Sequence, residues 1–183
     1  MPVSVTAVET MGYATATDGG GAVYVAEVAT SWGSVQSADG RWWGVAPLDN
    51  IYNVRAFGAK GDNITDDSTA FNNASARASS RGGGIVYVPP TGLPYVTSNV
   101  TLYNGVILKG ADGAKVFAGS TATVAQWAAQ GSWLRSTDTT NPTLLVSGNG
   151  SGVTGINFIR SQVIPGGAAY TPTTFPYEMK VTA

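Results

Sequence analysis

The chain has 183 residues, of which 43% are apolar and only 11% charged, with 24 glycines and a formal net charge of -1. This suits one β-rich domain of ordinary size, with or without a small appendage, whose surface is built from Gly, Ser, Thr and Asn. With no cysteine and no histidine, disulfides, thiolate chemistry, a Ser-His-Asp arrangement and Cys or His metal ligands are excluded, so any chemistry rests on carboxylates, Tyr, Lys, Arg or Ser. The absence of a basic run argues against nucleic acid as a partner, and no window reaches the roughly 18 apolar residues of a membrane span.

Residues 1–50 read as short strands between glycine turns: VSVTAV, then TDGGGAVYVAEV, then SWGSVQSADGRWWGV. Asp18 to Gly21 and Asp39-Gly40 are turn signals, and the alternation through Ala22, Val23, Tyr24 and Val25 fits half-buried strands. Trp32, Trp42 and Trp43 are expected to form the core of this small segment, with Pro47 to Asn50 as its joint to the rest of the chain.

The stretch VRAFGAKGDNITDDSTAF (54–71) places a glycine turn and three aspartates before an apolar run. Thr65 is expected to cap a helix over about 66–80, with Asp66 and Asp67 in its first turn against the positive end of the dipole. Ala70, Phe71, Ala74 and Ala78 form one apolar stripe, and Gly82 to Gly84 end the helix. That gives the aspartates a sufficient structural task.

From Ile85 the pattern changes to short apolar runs separated by Gly, Asn and Asp: IVYV, PYVTS, NVTL, GVILKG, AKVFAG, PTLLVSG, SGVTGINFI and YEMKVTA. No long helix interrupts them, so a doubly wound sheet fails. The recurrence of Gly-Val openings points to stacked coils. TATVAQWAAQGSWLRSTDTT (121–140) reads as a loop with one helical turn around Val124 to Ala129.

NVRAFGAKGDNITDDSTAFNNASARASSRGGGIVYVPP resembles the opening of the pectate-lyase-like, single-stranded right-handed β-helix family. In that family a Gly-Ala-Lys-Gly-Asp turn, a Thr-Asp-Asp helix start, a glycine run and a strand ending in Pro-Pro precede the coils. Gly12, Tyr13, Asp18 to Gly21, Tyr24 and Asp39 to Trp43 resemble the N-terminal part of bacteriophage tailspikes and tail fibres. The resemblance implies a mostly β fold: a virion-proximal β sub-domain at 1–50, then the start of a right-handed parallel β-helix at 51–183, with the helix covering its first rung. It implies a homotrimer held by virion tail or baseplate proteins, assembled in the host cytoplasm and acting extracellularly, which binds and often cleaves a host surface polysaccharide. FPYEMKVTA ends within a strand, so the chain is expected to be the N-terminal part of a longer product. The alternative is a self-contained polysaccharide lyase or glycoside hydrolase of the same fold.

No catalytic, cofactor-binding or metal-ligating residue is assigned, and no cofactor is expected. Glycosidases need two carboxylates about 5 to 9.5 Å apart, whereas the coils supply only Asp112, Asp138 and Glu178. Asp112 and Asp138 read as turn residues. Lys109, Lys115, Arg135 and Arg160 read as scattered surface charges, and Trp127 and Trp133 as buried rather than sugar-stacking. The Asn-x-Ser/Thr triplets at Asn63, Asn73, Asn99 and Asn149 are chance in so Asn- and Thr-rich a chain.

Overall fold

A computed structural model of the chain describes residues 4–29, 31–111, 131–136, 138–160 and 178–182. It begins with an antiparallel sheet of β1 (Ala7–Glu9), β2 (Val23–Glu27), β3 (Val35–Gln36) and β4 (Trp42–Ala46), in the order β1-β2-β4-β3. Alternation sends Tyr24, Trp43 and Val45 inward while Val23 faces out. Of the three expected core tryptophans, Trp43 is buried and Trp42 half-buried, but Trp32 is 56% exposed. Trp32 lies in the bend between β2 and β3 rather than on a strand, so no pleat turns it inward. Asp39 and Gly40 do form a turn, Gly40 at φ 84. The Pro47–Asn50 segment is a second tight turn, closed by Ile51 N–H on Leu48 O at 2.9 Å.

β5 (Ile51–Asn53) leads through a 3-10 turn, Val54–Phe57, and a left-handed Gly58 to α1 (Ser68–Ser80). The apolar stripe is as expected, with Ala70, Phe71, Ala74 and Ala78 all buried. Gly82 and Gly83 close the helix by donating to Ser79 O and Ala78 O. The N-terminus differs from expectation. Thr65 does not cap: its hydroxyl donates to Asp62 Oδ2 at 2.7 Å. Asp66 and Asp67 precede the first turn, which holds no acidic residue. Asp67 lies at the cap position, yet its carboxylate turns back to the glycine turn behind it.

Three parallel sheets form the faces of a right-handed β-helix. The first full rung is β6 (Gly84–Val88), β7 (Tyr95–Val96) and β8 (Val100–Leu102); the second is β9 (Val106–Gly110), β10 (Ser132–Ser136) and β11 (Leu144–Val146); the third is β12 (Gly152–Thr154), β13 (Ile156–Arg160) and β14 (Met179–Val181). The faces run β5-β6-β9-β12, β7-β10-β13 and β8-β11-β14. Register stacks like on like, Tyr52–Val86–Leu108–Val153 on one face and Tyr95–Leu134–Phe158 on the next. These stacks fill the core. At one corner glycine is required: Gly83 sits at φ 106, and a Cβ there would lie 2.5 Å from Gly105 O of the next rung.

One strand falls where a loop is expected. Ser132–Ser136, within SWLRSTDTT, is β10, pairing Leu134 with Tyr95 below and Phe158 above. Its inward positions are Ser132, Leu134 and Ser136, so two serines disguise the period of two. Ser132 is tolerated inside because its hydroxyl donates to Val88 O and accepts from Ala111 N, tying the corners of two rungs. The expected helical turn at 124–129, the run AKVFAG, Asp112, Lys115 and Trp127 lie outside the described residues.

Candidate functional site

The acidic stretch before α1 is a set of backbone clasps. Asp62 accepts from the amides of Ile64 (2.9 Å) and Thr65 (2.7 Å), which holds its carboxyl below the usual range against a smaller opposing effect of burial. Asp66 accepts from the Ser68 amide at 2.9 Å and orients the Ser68 hydroxyl. Asp67 is 2% exposed and accepts from Lys60 N at 2.7 Å and Gly61 N at 3.0 Å. Burial pushes its carboxyl above the usual value, with the two amides opposing and the charges of Asp62 and Asp66 adding to the rise.

Above this turn, α1 lies along the first rung. Ser68 Oγ accepts the Ser98 amide at 2.8 Å, Asn72 Oδ1 the Thr101 amide at 2.8 Å and Ser75 Oγ the Tyr103 amide at 3.2 Å. These residues stand at i, i+4 and i+7, on one helix face. Their partners span β8, the first strand of its sheet, whose lower edge would otherwise be a row of unpaired donors. Asp66 and Asp67 do the same for β7: Asp66 forms a parallel bridge with Val96, and Asp67 N–H donates to Val96 O at 2.8 Å.

The opposite side of the helix carries Arg77, 2% exposed. Its guanidinium pairs with Glu27 on β2 at 2.6 Å, donates to Val45 O on β4 at 3.1 and 3.3 Å, and reaches the Ser31 hydroxyl. Burial raises the Glu27 carboxyl, but hydrogen bonds from Arg77 and Ser31 and the charges of Arg77 and Arg81 outweigh it, leaving the group below its ordinary value. A second tie is the Tyr24 hydroxyl, which donates to Ala56 O at 3.0 Å; burial pushes that phenol up to about 12.

On the rungs, Asp138 accepts from the amides of Thr140 and Asn141, as a turn residue does, and Glu178 accepts from the Thr143 hydroxyl at 2.7 Å. Arg135 is more than a surface charge: it donates to Asn63 Oδ1 at 2.8 Å and joins the second rung to the turn before α1. Lys109 is exposed, and Trp133 is half-buried at an outward position of β10. Among the described residues no group of three or more Asp or Glu side chains is placed to hold a metal ion. Sequence reasoning missed Ser68, Asn72, Ser75, Glu27 and Arg77. The first three carried a visible signal, small polar residues at helical spacing on one face.

The family model described as rhamnogalacturonase A/epimerase, pectate lyase-like matches residues 51–164. The curated mannuronan C5-epimerase AlgE6 of Azotobacter vinelandii is 51% identical over 39 residues, 21% of this chain and 4% of that protein. Three solved tailspikes share the fold. The tailspike gp49 of Acinetobacter baumannii bacteriophage Fri1, a capsular polysaccharide depolymerase, matches 86% of this chain and 31% of its own at 18% identity and a TM-score of 0.61. The tailspike of Acinetobacter phage vB_ApiP_P1 matches 85% and 26% at 18% identity and a TM-score of 0.56. The enzymatically active domain of bacteriophage CBA120 tailspike protein 2 matches 99% and 28% at 14% identity and a TM-score of 0.51. The chain therefore spans about a third or less of these structures.

Proposed function

Because the chain belongs to the rhamnogalacturonase A/epimerase, pectate lyase-like family and folds as a tailspike-like β-helix, we propose that it is the N-terminal part of a bacteriophage tailspike or tail fibre. Residues 1–50 form the virion-proximal sub-domain. Residues 51–183 begin a β-helix that, in the longer product, engages a host surface polysaccharide as a homotrimer.

The observation that carries this reading is the joint between the two parts. The first fifty residues fall outside the family model and form an antiparallel sheet of their own. Arg77 of the rung-covering helix is locked to β2 and β4, so force on the sub-domain passes directly into the β-helix. Met179 and Val181 continue the inward stacks of Leu144 and Val146.

Adsorption tests the reading. The full product should bind host cells and lose that binding when their capsule is stripped. Without residues 1–50 it should still bind cells but fail to enter virions. Adsorption indifferent to capsule would overturn the polysaccharide, virions that incorporate the shortened product would overturn the attachment role, and a monomer in light scattering would overturn the trimer.

A further inference from the structure

We propose that the outward face of the β5-β6-β9-β12 sheet is the seam along which copies of this chain associate, with their β-helix axes parallel and this face turned to a three-fold axis. The inference rests on the homotrimer reading above and gives it a surface. On that face Ile51, Ile85 and Ile107 stand in register on successive rungs, and the column ends at Gly152. Ile51 is 42% exposed, and Ile85 and Ile107 are half-buried. Among the described residues no other face has such a column: Arg135 separates Val96 from Ile159 on one, and Leu145 lies between Thr101 and Lys180 on the other.

At its foot the column opens into a groove of about 550 Å³ where the N-terminal sheet meets the β-helix. Val23 and Leu48 line this groove together with Ile51 and Tyr87, and are 42% and 79% exposed. The apolar strip therefore extends from one part of the chain into the other, unlike the singly scattered apolar residues of an ordinary monomer surface.

Two observations identify the occupant as a second copy. The first is spacing. One isoleucine per rung repeats about every 4.8 Å, whereas an α-helix repeats about every 5.4 Å and slips out of step. A parallel β-helix has the matching repeat, and a copy of this chain has it with the same residues. The second is charge. Asp49, two residues before Ile51, stands at the edge where the strands of this face begin, and Lys109, two residues after Ile107, at the edge where they end. Both are exposed and have no ion-pair partner among the described residues. Around an axis parallel to the β-helix, the starting edge of each face meets the ending edge of the next, so unlike charges flank the apolar strip. Glu9, which also lines the groove, adds to the negative charge at its foot.

Sedimentation of the 183-residue chain tests the seam and should show a monomer–trimer equilibrium. Ile85→Lys and Ile107→Lys place a charge at outward positions, so each should fold as the parent does and raise the concentration at which trimers form about tenfold or more. Lys109→Glu makes both edges acidic and should weaken association at low salt, and less so at high salt. Because the chain has no cysteine, Ile107→Cys can be joined across copies by a short bismaleimide, each maleimide taking one thiol. Covalent pairs should form, whereas Leu145→Cys, outward on another face, should give none; this pattern decides the question even where Ile107→Lys fails to fold. A chain that stays monomeric or stops at a dimer, or association unaltered by the isoleucine variants or by Lys109→Glu, would overturn the seam. Trimers joined through Leu145→Cys and not through Ile107→Cys would overturn it while leaving the homotrimer reading intact; that reading fails separately, on a monomeric full product.

Discussion

The side-chain carbonyl of Asn72 accepts the Thr101 amide at 2.8 Å, so a helix residue supplies β8 with the hydrogen bond that a rung below would otherwise supply. Ser68 and Ser75 repeat the device one turn to either side. The cap on this β-helix therefore acts through matched polar bonds as well as through its apolar stripe.

Replacing Asn72 with Ala should cost about 1–2 kcal/mol, because it leaves the Thr101 donor unpaired beneath the helix. For a chain of this size that is a fall of roughly 2–8 °C in Tm. The double variant with Ser75→Ala should also raise the tendency to self-associate, since it reopens a strand edge. Thermal scans and light scattering measure both, and a variant as stable and monodisperse as the parent chain would leave the apolar stripe as the whole cap.

Phe71 is fully buried and meets Tyr95 edge to face, with ring centroids 5.5 Å apart. Phe71→Ala should cost about 3–5 kcal/mol as a cavity opens between cap and rung, and Phe71→Asp should unfold the chain. Urea denaturation would report the first as a lower midpoint at unchanged slope.

Glu27→Gln should destabilise by about 3–5 kcal/mol at neutral pH, because it leaves the Arg77 charge buried without its counter-ion. The folded-state pKa of Glu27 lies below its unfolded value of 4.5. The pair's contribution is therefore complete above that value and is lost as pH falls through the folded one. The gap between parent and variant should accordingly close on acidification below pH 4.5. A gap constant from pH 7 to pH 3 would show that Glu27 acts through packing.

Asp67 behaves in the opposite sense. Its folded-state pKa lies above the unfolded value of 3.8, so between the two the folded state binds more protons and stability falls as pH rises. Asn resembles the protonated acid in carrying one carbonyl acceptor for the Lys60 and Gly61 amides. The cost of Asp67→Asn should thus be largest near pH 3 and shrink as pH rises through the folded pKa of Asp67. Denaturant midpoints of both proteins across that range give the double difference, and a cost that grows with pH would mean that the ionised carboxylate is the favoured form.

The outer logic of this fold was legible along the chain. Gly82 to Gly84, the alanine and phenylalanine stripe, and the Val-Ile-Leu runs at 85–88, 100–102 and 106–108 specify a helix followed by short stacked strands because each is a local pattern. β10 was not legible, since its inward Ser132 and Ser136 are acceptable only where Val88 O and Ala111 N stand to receive them. Nor was the helix start. The Thr-Asp-Asp signature gives a cap when it meets only its own helix; here Asp67 meets the amides of Lys60 and Gly61 and turns away.

By itself the sequence determined what its short-range patterns can carry: the β-rich class, the position of the helix, the absence of histidine and cysteine chemistry, and the likeness to β-helix openings. Only the tertiary structure decided what the polar residues do. Asn72 and Ser75 became surrogate backbone for β8, Arg77 became a bolt through Glu27 and Val45 some thirty to fifty residues upstream, and Arg55 was left without a partner at Nε. The physical reason is that apolar burial follows from periodicity in one segment, whereas a buried polar group is settled by whichever donor or acceptor another segment brings within about 3 Å.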